Sequence, residues 1–557
     1  MSKTKKFRLG SRTLLRDVIK NKAETLGDKK WLTFIKDFDK GIDENYSYKD
    51  IHLFSNRLGN GLLKLGLKKG DGIALMEPNS PEFLFVVFAT FKLGTFTPLV
   101  NTSLKGEGLI YILNHSDAKA IIINHAYLET FMKIKDQLKN IKYVIVNLKE
   151  APDDFILPEG AVSLQEVMKA PDDDIEMDID LKDMVLLMYT AGTTGLPKAV
   201  TFYQGKLVGG NNISMLKSVF GAMLLQGKDN VIYTALPLAH ANALFISTLT
   251  AYLNEVPLIF AKRFSASRHF DICRKYNVTE FNTLGAMIPI LMKQPERPND
   301  KEHNVRIVLS AACPKEVWEA FIDRYNITIR EFYAATDGGG FALANFGVVT
   351  PRVGSMGKSL GATASILDDD GNLLGPNEVG ELVFEWKDSE AEQREVKYYK
   401  NVEASKKLIR KDKDGKNWFT TGDLSYYDED GYFYYVDRKR DAIRRRGENI
   451  AAYSIENIIN QNEKILESAA FGVKSELGED EVMVAIVLKP GKSMTPEELL
   501  DYCQDKMAYF MVPRYIEFME SLPKSDVHRI LKRVLKTRGV TEKTYDREKA
   551  GYKLKRN

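Results

Sequence analysis

The run Tyr189-Thr190-Ala191-Gly192-Thr193-Thr194-Gly195-Leu196-Pro197-Lys198 gathers three threonines, two glycines and one lysine into ten residues. It directly follows the apolar stretch Met184-Val185-Leu186-Leu187-Met188. This is chemistry suited to phosphate. Glycines let backbone N–H groups approach an anion closely, threonine hydroxyls donate further hydrogen bonds, and the lysine adds a point charge. The spacing is not that of the G-x-x-x-x-G-K-S/T loop of P-loop nucleotidases, because the glycines stand three apart and no Ser or Thr follows Lys198.

A loop of this kind needs strands to carry it, and the first two thirds of the chain supply them. Gly72-Ile73-Ala74-Leu75-Met76, Lys119-Ala120-Ile121-Ile122-Ile123 and Tyr143-Val144-Ile145-Val146 are short apolar runs separated by helix-length segments. Val231 to Leu236 and Arg306 to Ser310 continue the series. Strands buried on both faces and alternating with helices predict a parallel α/β sheet. The Pro- and acid-rich piece from Pro152 to Asp180 reads as a surface connector. After about residue 362 the pattern becomes hairpins turned by acidic residues and glycine, as in Ile366 to Leu374 and Tyr427 to Tyr435. From Arg438 a smaller α+β unit is expected, with a helix from about Ser454, strands near Ala469 and Met483, and a helix from about Thr495. The expected domains are 1–437 and 438–557.

At 557 residues the chain exceeds what one compact core organises. Hydrophobic residues at 44% and charged ones at 28% are ordinary for a soluble globular protein. A net charge of +3 argues against nucleic acid as the main partner. The cysteines Cys273, Cys313 and Cys503 are too scattered for a disulfide framework or a zinc site, which points to a reducing cytoplasm. The basic N-terminal run MSKTKKFRLGSR has no apolar stretch after it, so no secretory signal is expected. The longest apolar run, Phe83 to Phe91, ends at Lys92, far short of a bilayer span, and is expected to be a buried helix.

The decapeptide ending at Lys198 resembles the phosphate loop of the adenylate-forming superfamily: acyl-CoA synthetases, luciferases and peptide-synthetase adenylation domains. Only Ala191 departs from the pattern, where Ser is usual. Further elements resemble the superfamily in its own order. Leu236-Pro237-Leu238-Ala239-His240 matches LPLxH, and Ser310-Ala311-Ala312-Cys313-Pro314 matches the small-residue turn against which adenine lies. Tyr333-Ala334-Ala335-Thr336-Asp337 resembles Y-G-x-T-E, and Trp418-Phe419-Thr420-Thr421-Gly422-Asp423 resembles the T-G-D element. Asp437 to Ile450 matches the hinge and G-E-N-I segment.

That resemblance implies a layered α/β N-terminal domain with a distorted β-barrel, followed by a small mobile α+β domain. It also implies roles. Thr190, Gly192, Thr193, Thr194, Gly195 and Lys198 hold phosphates; Ala311, Ala312 and Tyr333 lie against adenine; Thr336 donates to a phosphate. Asp337 stands where a Glu usually helps hold magnesium, and keeps the hard oxygen donor on a stem one methylene shorter. Asp423 and Arg438 take the ribose, and Arg440 is the hinge. Arg445, Arg446 and Gly447 border the CoA channel, the arginines suiting CoA phosphates. The acyl pocket falls to His240, Asn242, Leu284, Gly285, Ala286, Met287, Ala311 and Gly338.

The last motif departs most. In Pro523 to Lys532, His528 replaces a glycine and Arg529 replaces the lysine that bridges carboxylate and α-phosphate. An arginine keeps the charge, but its planar fork does not occupy an ammonium's place. Slower adenylation, use of Lys524 instead, and tuning toward the reverse reaction all stay open.

The branch resembled most is that of crotonobetaine/carnitine-CoA ligases. The implied reaction uses ATP, Mg2+ and CoA to convert a carboxylic acid into acyl-CoA, AMP and diphosphate through an acyl-adenylate. The pocket wall has no acid to pair with a trimethylammonium group, which favours a short-to-medium or cyclic apolar acid. Two alternatives remain: a degenerate nucleotide or acyl-CoA sensor, and an adenylating enzyme that never uses CoA. No transmembrane segment is read. A homodimer is neither specified nor excluded.

Overall fold

The computed structural model describes residues 13–190, 197–205, 229–284, 287–311, 313–337, 340–347, 349–359, 363–386, 398–439, 443–445, 448–474, 480–525 and 529–554. Packing divides the chain into two units: Met1–Gly354 with Lys387–Leu408, and Ser355–Trp386 with Ile409–Asn557.

The first unit holds β1 (Lys30–Asp37), β2 (Ile42–Ser47), β3 (Gly72–Met76), β4 (Thr97–Leu99), β5 (Ala118–Asn124), β6 (Tyr143–Asn147), β7 (Ala161–Ser163) and β8 (Met184–Thr190). It continues with β9 (Lys198–Tyr203), β10 (Ile232–Thr234), β11 (Leu258–Ala261), β12 (Glu280–Leu284), β13 (Ile307–Ala311), β14 (Thr328–Ala335) and β15 (Gly340–Asn345). One sheet runs β7-β6-β5-β3-β4-β8-β9, parallel except for β9. The other runs β15-β14-β13-β12-β10-β11-β1-β2, parallel from β14 to β1 with antiparallel edges. The predicted parallel α/β architecture is therefore present, and twice over.

The apolar run at Phe83 forms the helix Pro81–Leu93, every residue of which is buried. Its start follows from local chemistry: Ser80 Oγ accepts the Phe83 N–H, and Pro81 occupies the first turn, where its missing donor costs nothing. Gly94, at φ 66°, ends it in a conformation that favours glycine. A helix apolar all round needs protein on every side. Its core joins Ile73, Leu75 and Ile122 of one sheet with Trp31, Leu258 and Phe260 of the other, so the helix is the layer that both sheets share. Phe88→Ala there costs about 3–5 kcal/mol, lost transfer energy plus cavity.

In the first sheet the order reverses at β3, with β4 on one side and β5 on the other. Glu77, just after β3, is buried there. Its Oε1 accepts from Ser80 Oγ (3.1 Å), Asn124 Nδ2 (3.1 Å) and Asn147 Nδ2 (2.9 Å). The stretch from Pro152 to Asp180 is more than a connector. Ala161–Ser163 pairs with β6 as an edge strand, and Leu164 and Val167 bury against the core.

In the second unit the strands Ala364–Leu367, Gly380–Glu385, Ile409–Lys411, Asn417–Tyr427 and Phe433–Arg438 form an antiparallel sheet. Register shifts at Glu381/Val383 and Leu424/Ser425 bend it, so that the distorted β-barrel expected of the N-terminal domain is a half-barrel in the second unit. Both predicted hairpin turns occur, with Gly371 and Gly431 at φ 85° and 79°. The helix Ala452–Asn460, the strands Ile465–Lys474, Asp480–Leu488 and Tyr515–Phe518, and the helix Pro496–Gln504 complete an α+β core. Asp437 Oδ2 accepts the Tyr453 N–H at 3.2 Å, so the antiparallel sheet packs with the C-terminal residues. Among the described residues no helix is long and apolar enough to cross a membrane.

Candidate active site

Neighbouring parallel strands deliver the motifs at one end of their sheet. β10 leads into Leu236 to His240, β12 ends at Leu284, β13 ends at Ala311, and β14 runs into Thr336 and Asp337. The carboxyl ends of parallel strands are where α/β folds place ligands. Two side chains that the motifs do not mark hold these loops in place. Asn79 Nδ2 donates to the carbonyls of Leu236 (3.0 Å) and Ala261 (3.1 Å), while its Oδ1 accepts the Leu238 N–H (2.9 Å). The buried Glu331 carboxylate accepts the Cys313 N–H at 3.3 Å and fixes the small-residue turn after β13.

The phosphate loop closes an antiparallel hairpin: β8 and β9 pair Thr190 with Lys198 and Tyr189 with Ala199. A P-loop instead leads from its strand into a helix. Ala191 to Leu196, with Gly192, Thr193, Thr194 and Gly195, lies outside the described residues. Next to β9 the chain returns: Val200 bridges Tyr398, and the Tyr399 N–H reaches the Ala199 carbonyl at 2.8 Å. This puts the buried ring of Tyr398 under Lys198, with Nζ 4.9 Å from the ring centre. The Tyr398 hydroxyl donates to Asp337 Oδ2 at 2.6 Å. Burial, then the Asp337 charge, pushes the hydroxyl's pKa well up, so it remains a donor. One tyrosine thus links the lysine of the phosphate loop to the carboxylate at the end of β14.

Asp337 is half-buried and offers hard oxygens. Among the described residues no group of three or more His, Cys, Asp or Glu could hold a metal ion unaided. Magnesium, however, is commonly bound through one or two carboxylates together with substrate phosphates, so a lone Asp337 beside a phosphate loop fits it.

On the acyl side, the His240 N–H donates to the Pro237 carbonyl (3.0 Å) and the His240 carbonyl accepts from Leu244 N–H (3.1 Å). The chain then winds as a π-helix over Asn242–Leu249. Asn282 Nδ2 of β12 donates to Asn242 Oδ1 at 3.0 Å. Leu284 is half-buried and Met287 buried. Gly285, Ala286, Ala312 and Gly338 lie outside the described residues. Tyr333 is buried on β14, and Ala311 and Thr336 are half-buried at their strand ends.

In the second unit Asp423 and Arg438 are cross-strand partners, joined by an ion pair of 3.0 Å. The spacing of Thr421-Gly422-Asp423 has a local cause. Thr421 Oγ1 accepts the Asp423 N–H (3.1 Å), and Gly422 takes φ 73°, which disfavours any side chain. Burial and then the Asp423 and Asp437 charges push the neighbouring Tyr435 hydroxyl's pKa up, against Arg438 and Arg529. The exposed Arg529 closes a short loop: Ser525 N–H donates to the Arg529 carbonyl at 2.8 Å, and Lys524 bridges Ile530. Asp526 to His528 lies outside the described residues. Lys524 itself is paired with Glu467 at 2.5 Å.

Arg445 has a different setting from the one expected for a CoA contact. Strand alternation over Ile443–Arg445 sends Ile443 and Arg445 to the same inward face. The Arg445 side chain is 2% exposed and pairs with Glu481 at 2.6 Å. It also donates to the Phe510 (2.8 Å) and Val512 (3.0 Å) carbonyls. Its guanidinium is engaged inside the fold. Arg440, Arg446 and Gly447 lie outside the described residues.

Residues 19–386 match the family of AMP-binding enzymes, and residues 454–528 match the AMP-binding enzyme C-terminal domain. The crotonobetaine/carnitine–CoA ligase of Salmonella paratyphi B is 27% identical over 536 residues, covering 94% of this chain and 98% of that protein. The anthranilate CoA ligase AuaEII in complex with anthranoyl-AMP superposes with TM-score 0.80 at 21% identity, over 95% of this chain and 98% of that one. The o-succinylbenzoate coenzyme A synthetase of Bacillus subtilis, in complex with ATP and magnesium ion, gives 0.75 at 22% identity, over 94% and 100%. The chain therefore belongs to the AMP-binding enzyme family, as an AMP-forming acyl-CoA synthetase similar in sequence to the crotonobetaine/carnitine–CoA ligases.

Proposed function

We propose that this protein joins a carboxylic acid to CoA in two half-reactions. In the first, an acid carboxylate oxygen attacks the α-phosphorus of ATP, and diphosphate leaves. In the second, the CoA thiol attacks the acyl carbon and AMP leaves. Splitting the reaction activates a poor acyl group before the thiol meets it.

The observation that carries this reading is the linkage of Lys198, Tyr398 and Asp337. Lys198, Thr190 and the threonines of the loop bind phosphate, and Tyr398 keeps Asp337 oriented. Asp337 would hold magnesium together with the nucleotide's own phosphates, and the ion would neutralise phosphate charge. Tyr333 and Ala311 pack against adenine, Thr336 donates to a phosphate, and Asp423 accepts from the ribose hydroxyls with Arg438 beside it. Arg529 supplies positive charge toward the α-phosphate during adenylation. The hinge at Arg440 and the thiol channel at Gly447 belong to the same proposal. The acid is a short-to-medium or cyclic carboxylate.

A second reading, a nucleotide-binding sensor, is favoured by one observation: Arg529 stands where the superfamily carries lysine. Purified protein given ATP, Mg2+, CoA and a broad panel of acids decides between them. AMP and thioester formation supports the ligase; ATP binding without either product, also after Arg529→Lys, supports the sensor.

A further inference from the structure

Asn242 is the second residue after His240 and the first of the π-helical segment Asn242–Leu249. Such a segment is uncommon and concentrates at functional sites. The side-chain hydroxyls of Thr248 and Thr250 reach back five residues, to the carbonyls of Ala243 (2.8 Å) and Phe245 (2.9 Å). Both bonds follow the wider winding.

Asn242 is 8% exposed, and its Oδ1 is occupied by Asn282 Nδ2. With that bond made, Nδ2 faces away from Asn282. Among the described residues Asn242 Nδ2 is buried and has no hydrogen-bond partner. Leaving an amide N–H unsatisfied in a buried place costs about 1–3 kcal/mol. A leucine of similar size would avoid that cost. Asn282 lies two residues before Leu284, on the same face of β12, at the strand end where the acyl-pocket residues gather.

We propose that Asn242, oriented by Asn282, donates a hydrogen bond to an oxygen on the acyl chain, so that the preferred acids carry a carbonyl, hydroxyl or ether oxygen remote from the carboxylate. This rests on the ligase reading and sharpens it. The uniformly apolar pocket expected from residue types becomes an apolar pocket with one buried donor. A wholly aliphatic acid leaves Nδ2 unpartnered, and so does a trimethylammonium group, which has no lone pair. Sites built to bond a substrate's polar group reject analogues lacking it far more strongly than apolar pockets reject a missing methylene.

The test uses the full-length protein and matched acids: levulinate against pentanoate, and hydroxybenzoates against benzoate. AMP formation is followed for each. For at least one pair kcat/KM favours the oxygen-bearing acid by about tenfold or more, the equivalent of one buried hydrogen bond. Asn242→Leu brings that ratio close to one. Asn242→Asp keeps the shape and the acceptor for Asn282 while removing the donors, and also lowers the ratio. The inference is overturned if the unsubstituted protein prefers the aliphatic or unsubstituted acid in every pair, or if both variants keep the original ratio. Absence of AMP with every acid overturns the ligase reading as well, whereas AMP without selectivity overturns this inference alone.

Discussion

The Tyr398 hydroxyl donates to Asp337 Oδ2 at 2.6 Å while its ring lies 4.9 Å from Lys198 Nζ. Tyr398→Phe separates these contacts, keeping the ring and deleting the donor. Hydrogen bonds to charged groups contribute about 1.5–3 kcal/mol, so the magnesium concentration for half-maximal adenylation rises about tenfold or more. Stability changes little. Magnesium titration of diphosphate exchange reads the effect, and an unchanged requirement removes Tyr398 from the site.

Asp423 and Arg438 lie opposite each other on adjacent strands. Asp423→Asn removes the charge that holds Arg438 and half of the acceptor capacity offered to ribose hydroxyls. ATP affinity falls about tenfold or more, as for loss of a charge-assisted hydrogen bond. Calorimetry with ATP alone measures this. Lys198→Ala should weaken the same binding through the phosphates, and unchanged affinity in both variants would overturn the nucleotide site.

Arg529 stands at the position of the bridging lysine, and Lys524 is paired with Glu467. Arg529→Ala therefore slows adenylation about 100- to 1000-fold, the usual loss for one preorganised charge. Lys524→Ala changes it far less. Single-turnover acyl-AMP formation separates the two, and the reverse ranking would transfer the role to Lys524.

Arg445 pairs with Glu481 where both are buried. Arg445→Met leaves a carboxylate without its partner and costs about 3–5 kcal/mol, whereas replacing both partners by apolar residues recovers most of that. Denaturant unfolding gives the comparison. A large rise in the KM for CoA in a stable Arg445 variant would restore the phosphate role that its sequence context suggested.

Burial, with a smaller contribution from Glu82, pushes the Glu77 carboxyl up to about 8 from an ordinary 4.5, against hydrogen bonds from Asn124, Asn147 and Ser80. Between those values the folded chain holds a proton that the unfolded chain has released. Stability from this group is complete below about 4.5 and is lost as pH rises through about 8. Glu77→Gln removes that dependence, so the variant gains relative to the unsubstituted protein between pH 5 and pH 9, by an amount on the order of 1 kcal/mol or more. Denaturation at the two pH values reads the difference; a difference that does not grow with pH contradicts it.

The strands around Ile73, Val144 and Val308 were legible because each is a continuous apolar run between turn signals. Ala161–Ser163 was not, since a strand of three residues exists only through its pairing with β6. Lys198, Asp337 and Asp423 are candidates that motif order nominates. Tyr398 is not one, because its partner Asp337 is 61 positions away; Asn79 likewise anchors Leu236 across 157. Arg444-Arg445-Arg446 resembles an anion-binding cluster in sequence, yet Arg445 lies on the buried face of its strand.

The pairing of Thr190 with Lys198 decides which face of β9 each side chain takes. A slip of that pairing by a single position would make every side chain along β9 exchange faces. Lys198 would then turn away from Tyr398, and Val200 would leave the core.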